Sequence, residues 1–259
     1  MTFAIDLQGR RALVTGAGHG IGRTIAMTLA DAGAAVAVND VVPAHADAVT
    51  NEILAAGGQA SPVPFDVTDF VQVTSAVDRC GAVDILVNNA GNAGTAGFGR
   101  MCDFVESDPD DWASYLAVNL YGVMHCTRAA LPSMVQGGWG RVVTIISDAA
   151  RYGDVKLAPY AAAKAGAAGF CRSVAREVGR HGITVNCVSL GTIETPATAR
   201  AFDTAEAKEA ERTLLRPYVI RRRGRPDDVA GVVTYLVSPL ASWITGQTYV
   251  VNGGYTFSL

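Results

Sequence analysis

Charge is scarce in this chain, and histidine scarcer. Only 17% of the 259 residues are charged, the net charge is −3, and four histidines occur. Such a surface gives no electrostatic footing to a nucleic acid or an anionic membrane. No apolar run approaches the roughly 18 residues needed to cross a bilayer. Residues 1–10 carry one acid, Asp6, and no amphipathic Arg-rich pattern, so no targeting segment is expected. Five cysteines (Cys80, Cys102, Cys126, Cys171, Cys187) are scattered without a Cys-x-x-Cys. That odd, dispersed set predicts reduced thiols in the cytoplasm, acting as small core residues. His19, His45, His125 and His181 show no ligand spacing, so no metal centre is expected.

What the chain has in quantity is apolar sequence, 49% of it, and glycine, 28 residues. Short apolar runs read as strands at residues 11–15, 34–38, 60–65, 83–87, 141–146, 183–188 and 247–251. Helical stretches lie between them, at 23–32, 69–79, from 108 past 119, at 159–180, 195–215 and 226–236. Asp69, with Thr68 as the expected cap, starts one of them, and Asp108-Pro109 starts another. Strands alternating with helices, with no linker and no repeat, predict one domain over 1–259. Its class is α/β, a doubly wound parallel sheet of Rossmann type with about seven strands. The small-residue stripe of the 159–180 helix predicts a close packing or subunit face.

The first strand runs into Gly16-Ala-Gly-His-Gly20-Ile-Gly22 and then a helix. That layout aims backbone N–H groups and a helix N-terminus at a phosphate. The spacing is Thr15-Gly-x-x-x-Gly20-x-Gly22; the general G-x-G-x-x-G fingerprint would need glycine where Ile21 stands. Asp40 follows the second strand, about 20 residues beyond the loop, where an acid bonds the adenosine ribose hydroxyls and repels a 2′-phosphate. No Arg or Lys occupies 39–42 and position 19 is His, so NAD is expected over NADP.

Tyr160 and Lys164 stand four apart on a helix and share one face. A lysine ammonium beside a phenol favours the phenolate and lowers a pKa that is ordinarily near 10. Ser147 ends the 141–146 strand, placed to steady a substrate oxygen while the tyrosine exchanges a proton with it. Asn119 lies inside the long helix that starts at Asp108.

These residues together resemble the short-chain dehydrogenase/reductase family in its compact single-domain branch, over nearly the whole chain. The Thr15–Gly22 loop is similar to its cofactor loop, Asp66-Val67 to its adenine contact, and Asn88-Asn89-Ala90-Gly91 to its N-N-A-G segment. Asn119, Ser147, Tyr160 and Lys164 match its catalytic tetrad, and Asn186 with Gly191-Thr-Ile193-Glu-Thr195 its nicotinamide segment. Leu190-Gly191 departs from the family's Pro-Gly there. The resemblance implies Tyr160 as acid/base, Lys164 as its cation and ribose ligand, Ser147 as carbonyl partner, and Asn119 holding a relay water. It extends the cofactor contacts from Gly16, His19, Gly20, Ile21 and Gly22 through Asp40, Asp66, Val67, Asn89 and Gly91. Tyr160, Lys164, Ile193 and Thr195 complete that set.

An NAD-dependent oxidoreductase that interconverts a secondary alcohol and a ketone is therefore expected, as a homotetramer, with a non-catalytic cofactor-binding sensor or scaffold as the alternative. Residues 192–222 read as a lid over the substrate. Phe98, Tyr152, Leu157 and Ile193 predict a bulky apolar substrate, a ring alcohol or a 3-hydroxyacyl thioester. Arg151, Lys156 and Arg221–Arg223 are placed to meet an anionic tail, or else are solvated or subunit contacts.

Overall fold

The computed structural model describes residues 5–91, 102–194 and 205–257, the side chains of 205–208 excepted. Its elements are β1 (Arg11–Val14), α1 (Gly20–Asp31), β2 (Ala35–Val38), α2 (Pro43–Ala55), β3 (Gln59–Pro62), α3 (Phe70–Cys80) and β4 (Ile85–Asn88). There follow α4 (Pro109–Leu116), α5 (Gly122–Gly137), β5 (Gly140–Ser147), α6 (Ala158–Val178), β6 (Ile183–Leu190), α7 (Ala205–Leu215), α8 (Pro226–Val237) and β7 (Thr248–Val251). The strands form one seven-stranded sheet in the order β3-β2-β1-β4-β5-β6-β7. Every pairing is parallel. The Rossmann-type doubly wound sheet predicted from the alternating pattern is the fold observed.

Both faces of the sheet are covered, and side-chain alternation explains why the strands are apolar throughout. Ala12, Val14, Val36, Val38, Ile85 and Val87 point to one face. There they meet Ile25 and Leu29 of α1 and Val233 and Leu236 of α8. Leu13, Ala37, Leu86, Val142 and Ile146 point the other way, against Val73 and Val77 of α3, Cys126 and Met134 of α5, and Cys171 and Val174 of α6. Each fully buried Leu or Ile contributes roughly 1.5–3 kcal/mol. An exposed pair such as Arg212–Glu209, 3.2 Å apart, adds at most about 1 kcal/mol. The two apolar layers therefore hold the sheet, and the surface charges do little.

Several boundaries differ from the sequence pattern for visible reasons. β3 ends at Pro62 rather than Phe65, because the buried Asn39 amide takes the carbonyls of Val63 (3.1 Å) and Phe65 (3.0 Å). Asp69, not Thr68, caps α3, accepting from the N–H groups of Val71 (2.9 Å) and Gln72 (3.1 Å). Thr68 is bound instead to Asp66, 2.8 Å from both its N–H and its hydroxyl. The long helix begun by Asp108 is two helices, α4 and α5, joined by a π-turn over Ala117–Tyr121. The small face of α6 is in part an internal packing face: Ala163, Ala167 and Cys171 are buried.

The strand order reverses between β1 and β4. In a doubly wound sheet, ligands bind at such a switch point, beyond the carboxyl ends of the strands. Asp40, Asn89 and Gly191 follow β2, β4 and β6, and Ser147 ends β5, all at that edge.

Candidate active site

Glycine is required in the β1–α1 loop on steric grounds. A Cβ on Gly22 would run into the Gly16 carbonyl oxygen and the Asn89 amide. Gly16 and Gly20 hold positive φ, 61° and 55°. Thr15 and Asn89 lock this loop to the end of β4. The Thr15 hydroxyl accepts from the N–H groups of Asn89 (3.0 Å) and Ala90 (3.1 Å), and the Asn89 amide donates to the carbonyls of Thr15 and Gly16, each 3.0 Å away. Asn89, expected to touch the cofactor, thus has a side chain that shapes the glycine loop. A Gly22→Ala substitution is expected to cost about 1–3 kcal/mol of stability, the usual range for overpacking. Chemical denaturation checks this, and an unchanged midpoint counts against the fit described.

Asp40 is 4% exposed. One carboxylate oxygen accepts from Gly18 N–H (3.2 Å) and the other from Val42 N–H (2.9 Å). Burial by itself would raise its pKa; contact with His19 and the two N–H donors outweighs burial and holds it below the ordinary value. Asp40 in turn raises the pKa of His19. His45, from the first turn of α2, approaches the same carboxylate, so two histidines 26 residues apart meet an acid. This corrects the expectation that no histidines cluster. Asp66 accepts from Thr68, and the Val67 carbonyl lies 3.0 Å from His125 Nδ1.

Ser147 closes β5, its hydroxyl accepting from Ala149 N–H at 3.2 Å. Tyr160 and Lys164 come from the first two turns of α6 and are both buried. Lys164 Nζ donates to the Ile145 carbonyl at 2.9 Å and lies 5.8 Å from the centre of the Tyr160 ring. Asn119 sits in the π-turn, 0% exposed, its amide donating to the Tyr115 carbonyl at 3.0 Å. Gly91 fits between the two groups: a Cβ there would lie 3.0 Å from Asn119 Oδ1 and 3.4 Å from Lys164 Nζ. The structure thus gathers Asn119, Ser147, Tyr160, Lys164 and Gly91 at one edge of the sheet.

The electrostatics differ from the sequence expectation. Burial pushes the Tyr160 phenol up to about 12, with a hydrogen bond to Ser147 opposing it. Burial pushes Lys164 down to about 8. Burial of the phenol, the largest of these effects, acts against the fall in pKa expected from the Tyr–Lys spacing.

Beyond β6, Ile193 pairs with Gly224 and is buried. The Tyr218 hydroxyl binds Thr192, accepting from its N–H at 3.0 Å and donating to its hydroxyl at 2.9 Å. Thr195 and Phe98 lie outside the described residues. Asn186, in the segment expected near nicotinamide, donates to the Ile244 carbonyl (2.8 Å) and accepts from Gln247 N–H (3.1 Å), a structural clasp. Three arginines considered for an anionic tail are engaged within the fold. Arg151 binds Asp148, Thr256 and the Phe257 carbonyl; Arg222 grips Asp228 through two nitrogens; Arg223 pairs with Glu211. Sequence reading missed Tyr218, Tyr255 and Asp148, which carry no motif signal of their own.

A doubly wound sheet with a glycine loop at its switch point and a Ser-Tyr-Lys set beside it defines a dinucleotide-dependent oxidoreductase. The chain belongs to the short-chain dehydrogenase/reductase family. Residues 16–256 match the family model described as enoyl-(acyl carrier protein) reductase. The 7alpha-hydroxysteroid dehydrogenase of Escherichia coli (strain K12) is 37% identical over 255 residues, 96% of this chain and 95% of its own. A solved 7alpha-hydroxysteroid dehydrogenase, complexed with NADH and 7-oxo glycochenodeoxycholic acid, superposes with a TM-score of 0.87 at 37% identity, covering 96% of this chain and 95% of that one. The 3-oxoacyl-[acyl-carrier-protein] reductase of Synechocystis sp. is 39% identical, covering 96% and 97%. A gluconate 5-dehydrogenase from Burkholderia cenocepacia, in complex with NADP and tartrate, gives a TM-score of 0.88 at 34% identity, covering 98% of each chain. The protein is an oxidoreductase of hydroxyl and keto groups that uses a nicotinamide cofactor. No helix among the described residues is long and apolar enough to cross a membrane.

Proposed function

We propose that this enzyme is an NAD-preferring dehydrogenase of a bulky, apolar secondary alcohol, working in the cytoplasm. One observation carries the cofactor preference: the buried Asp40 carboxylate at the end of β2, bound to the glycine loop at Gly18 and with no Arg or Lys at 39–42. An acid there accepts from the ribose hydroxyls and repels a 2′-phosphate. Asp40→Ala is expected to lower the NAD-over-NADP ratio of kcat/KM by about tenfold or more, one lost charge-assisted interaction being worth roughly 1.5–3 kcal/mol. An unchanged ratio sinks the preference. The cytoplasmic assignment rests on the free cysteines, which form no disulfide among the described residues.

The residues present fit the cofactor: the glycine turn, tight enough that a Cβ on Gly16 or Gly22 would clash, leads into the N-terminus of α1 where a phosphate binds, and Asp40 stands where the ribose is read. Gly16, His19, Gly20, Ile21 and Gly22 would hold the phosphates, Asp40 the ribose, and Asp66 and Val67 the adenine. Gly91, Ile193 and Thr195 would border the nicotinamide, with Lys164 on its ribose. When bound, the nicotinamide supplies or accepts the hydride at the carbinol carbon. Ser147 donates a hydrogen bond to the substrate oxygen. Tyr160 takes that oxygen's proton in oxidation and returns it in reduction. Lys164, fixed by the Ile145 carbonyl, supplies the positive charge that the phenolate needs. Asn119, fixed in the π-turn, holds a water from which the spent proton reaches solvent.

The substrate wall is aromatic. Tyr218 and Tyr255 stack at 4.8 Å, and Tyr152 meets Tyr255 edge-on at 5.5 Å. Leu157 and Ile193 add apolar surface. With Arg151, Arg222 and Arg223 in internal pairs, a ring alcohol suits the site better than a coenzyme A thioester. A screen of free alicyclic and steroid alcohols against 3-hydroxyacyl-CoA thioesters tests this; faster turnover of the thioesters overturns it. Assembly as a homotetramer would cover the exposed Val105 (91%) and Trp243 (98%), on the α4 and β7 sides.

A further inference from the structure

We infer that His19, Asp40 and His45 form a binding site for a divalent transition-metal ion, Zn2+ foremost, whose occupancy competes with the dinucleotide. His19 Nδ1 lies 3.7 Å from one Asp40 oxygen, and His45 Nδ1 lies 3.6 Å from the other. One ligand atom from each of the three lies within 4.8 Å of the others. At bond lengths of 2.0–2.2 Å, tetrahedral donors stand about 3.4 Å apart. The His–Asp separations therefore need to close by a few tenths of an ångström and the widest separation by up to about 1.4 Å, a movement within reach of side-chain rotation, for the three to share one ion.

The orientation favours a cation. Both rings present Nδ1 to a single carboxylate, and a lone pair facing that charge is repelled unless a proton or a shared cation intervenes. Two imidazoles with one carboxylate suit Zn2+, Co2+, Ni2+ or Cu2+ and suit Mg2+ or Ca2+ poorly. The three donors come from different elements, which fixes them independently. His19 caps α1, Asp40 ends β2, and His45 sits in the first turn of α2. Asp40 is held from behind by Gly18 and Val42 N–H, which orients it as outer hydrogen bonds orient a metal ligand. The histidine side chains are 45% and 48% exposed, so an ion enters from solvent and water completes its coordination.

The site occupies the carboxylate assigned above to the adenosine ribose. Metal and NAD would then exclude each other, and the penalty is reciprocal. Metal binding itself is independent of that assignment; the competition rests on it.

The full-length enzyme is titrated with Co2+, followed by its visible absorption, and with Zn2+ by calorimetry. One ion per chain is expected at this site. His45→Gln is expected to weaken it at least tenfold, since even outer-sphere changes cost about 10–100-fold. The same variant should turn over normally without metal and resist Zn2+ inhibition. Saturating NAD should raise the apparent Kd for Zn2+, and Zn2+ should raise that for NAD by an equal factor. Native-like Co2+ and Zn2+ binding in both His45→Gln and His19→Gln overturns the site. Binding that is lost in the variants but indifferent to NAD overturns the competition, and with it the ribose reading of Asp40.

Discussion

Tyr160→Phe is expected to lower kcat by about 10²–10⁴-fold, the usual worth of a positioned general acid or base. NADH absorbance on any turned-over alcohol measures it. The substitution removes one oxygen and keeps the buried ring, including its edge-on contact with Tyr115 at 6.2 Å. NAD affinity, read by fluorescence titration, should therefore change little, which separates lost chemistry from a damaged pocket. The pH profile gives a second readout. Oxidation needs the phenolate, and burial holds this phenol up at about 12 in the protein alone. A rate limb rising with pH is expected, at a position set by whatever positive charge favours the phenolate. Lys164 is the buried cation beside it. Lys164→Met withdraws that charge, so the limb should move to higher pH. A limb that stays in place, or full activity in Tyr160→Phe, removes this pair from the mechanism.

How much of this was legible depends on whether the signal is local. β1, β4, β5 and β6 are buried on both faces, so their Val/Ile/Leu runs announce them directly. The glycine loop is legible because its backbone conformation permits little else at Gly16, Gly20 and Gly22. The Tyr160–Lys164 pair is legible because helical spacing fixes which residues share a face. The π-turn at Asn119 is not, since no proline or glycine marks Ala117–Tyr121 and the apolar pattern runs through it. α2 escaped a pattern reading for a related reason: its buried face, Ala46, Val49, Thr50 and Ile53, holds a single large apolar residue and one hydroxyl. Side chains meeting across the sheet are the hardest to foresee. His19 and His45 converge on Asp40 only because β2 lies next to β1 and α2 turns back toward the glycine loop. Asn89 and Asn186 show what spacing does not reveal. Their motif matches were read as cofactor contacts, yet their amides hold the Gly16 carbonyl and the Ile244–Gln247 segment. A motif marks a position, and hydrogen-bond partners decide what the side chain does there.

The largest stability effect is expected from a residue that no motif names. Asp148 follows Ser147 and is 2% exposed. One carboxylate oxygen accepts from the Ser189 hydroxyl at 2.6 Å and from Arg151 at 3.4 Å. The other accepts from the Thr256 hydroxyl at 3.0 Å and from the Asn252 amide. This one charge joins the ends of β5 and β6 to the segment after β7, on the side where Tyr255 stacks with Tyr218. Removing one partner of a buried ionic network costs about 3–5 kcal/mol, because the remaining polar groups lose their acceptor. Asp148→Ala is therefore expected to destabilise the protein by about that amount, measured by urea denaturation. Its activity should fall even where it is folded, because Ser147 and the aromatic wall lose a common anchor. Asp148→Asn keeps an acceptor but turns an N–H toward donors on the other side, so an intermediate loss is expected. If Asp148→Ala falls within about 0.5 kcal/mol of the native protein, the range of an ordinary surface change, these hydrogen bonds do not hold the site together. Apolar packing of the two sheet faces would then have to position Ser147 unaided.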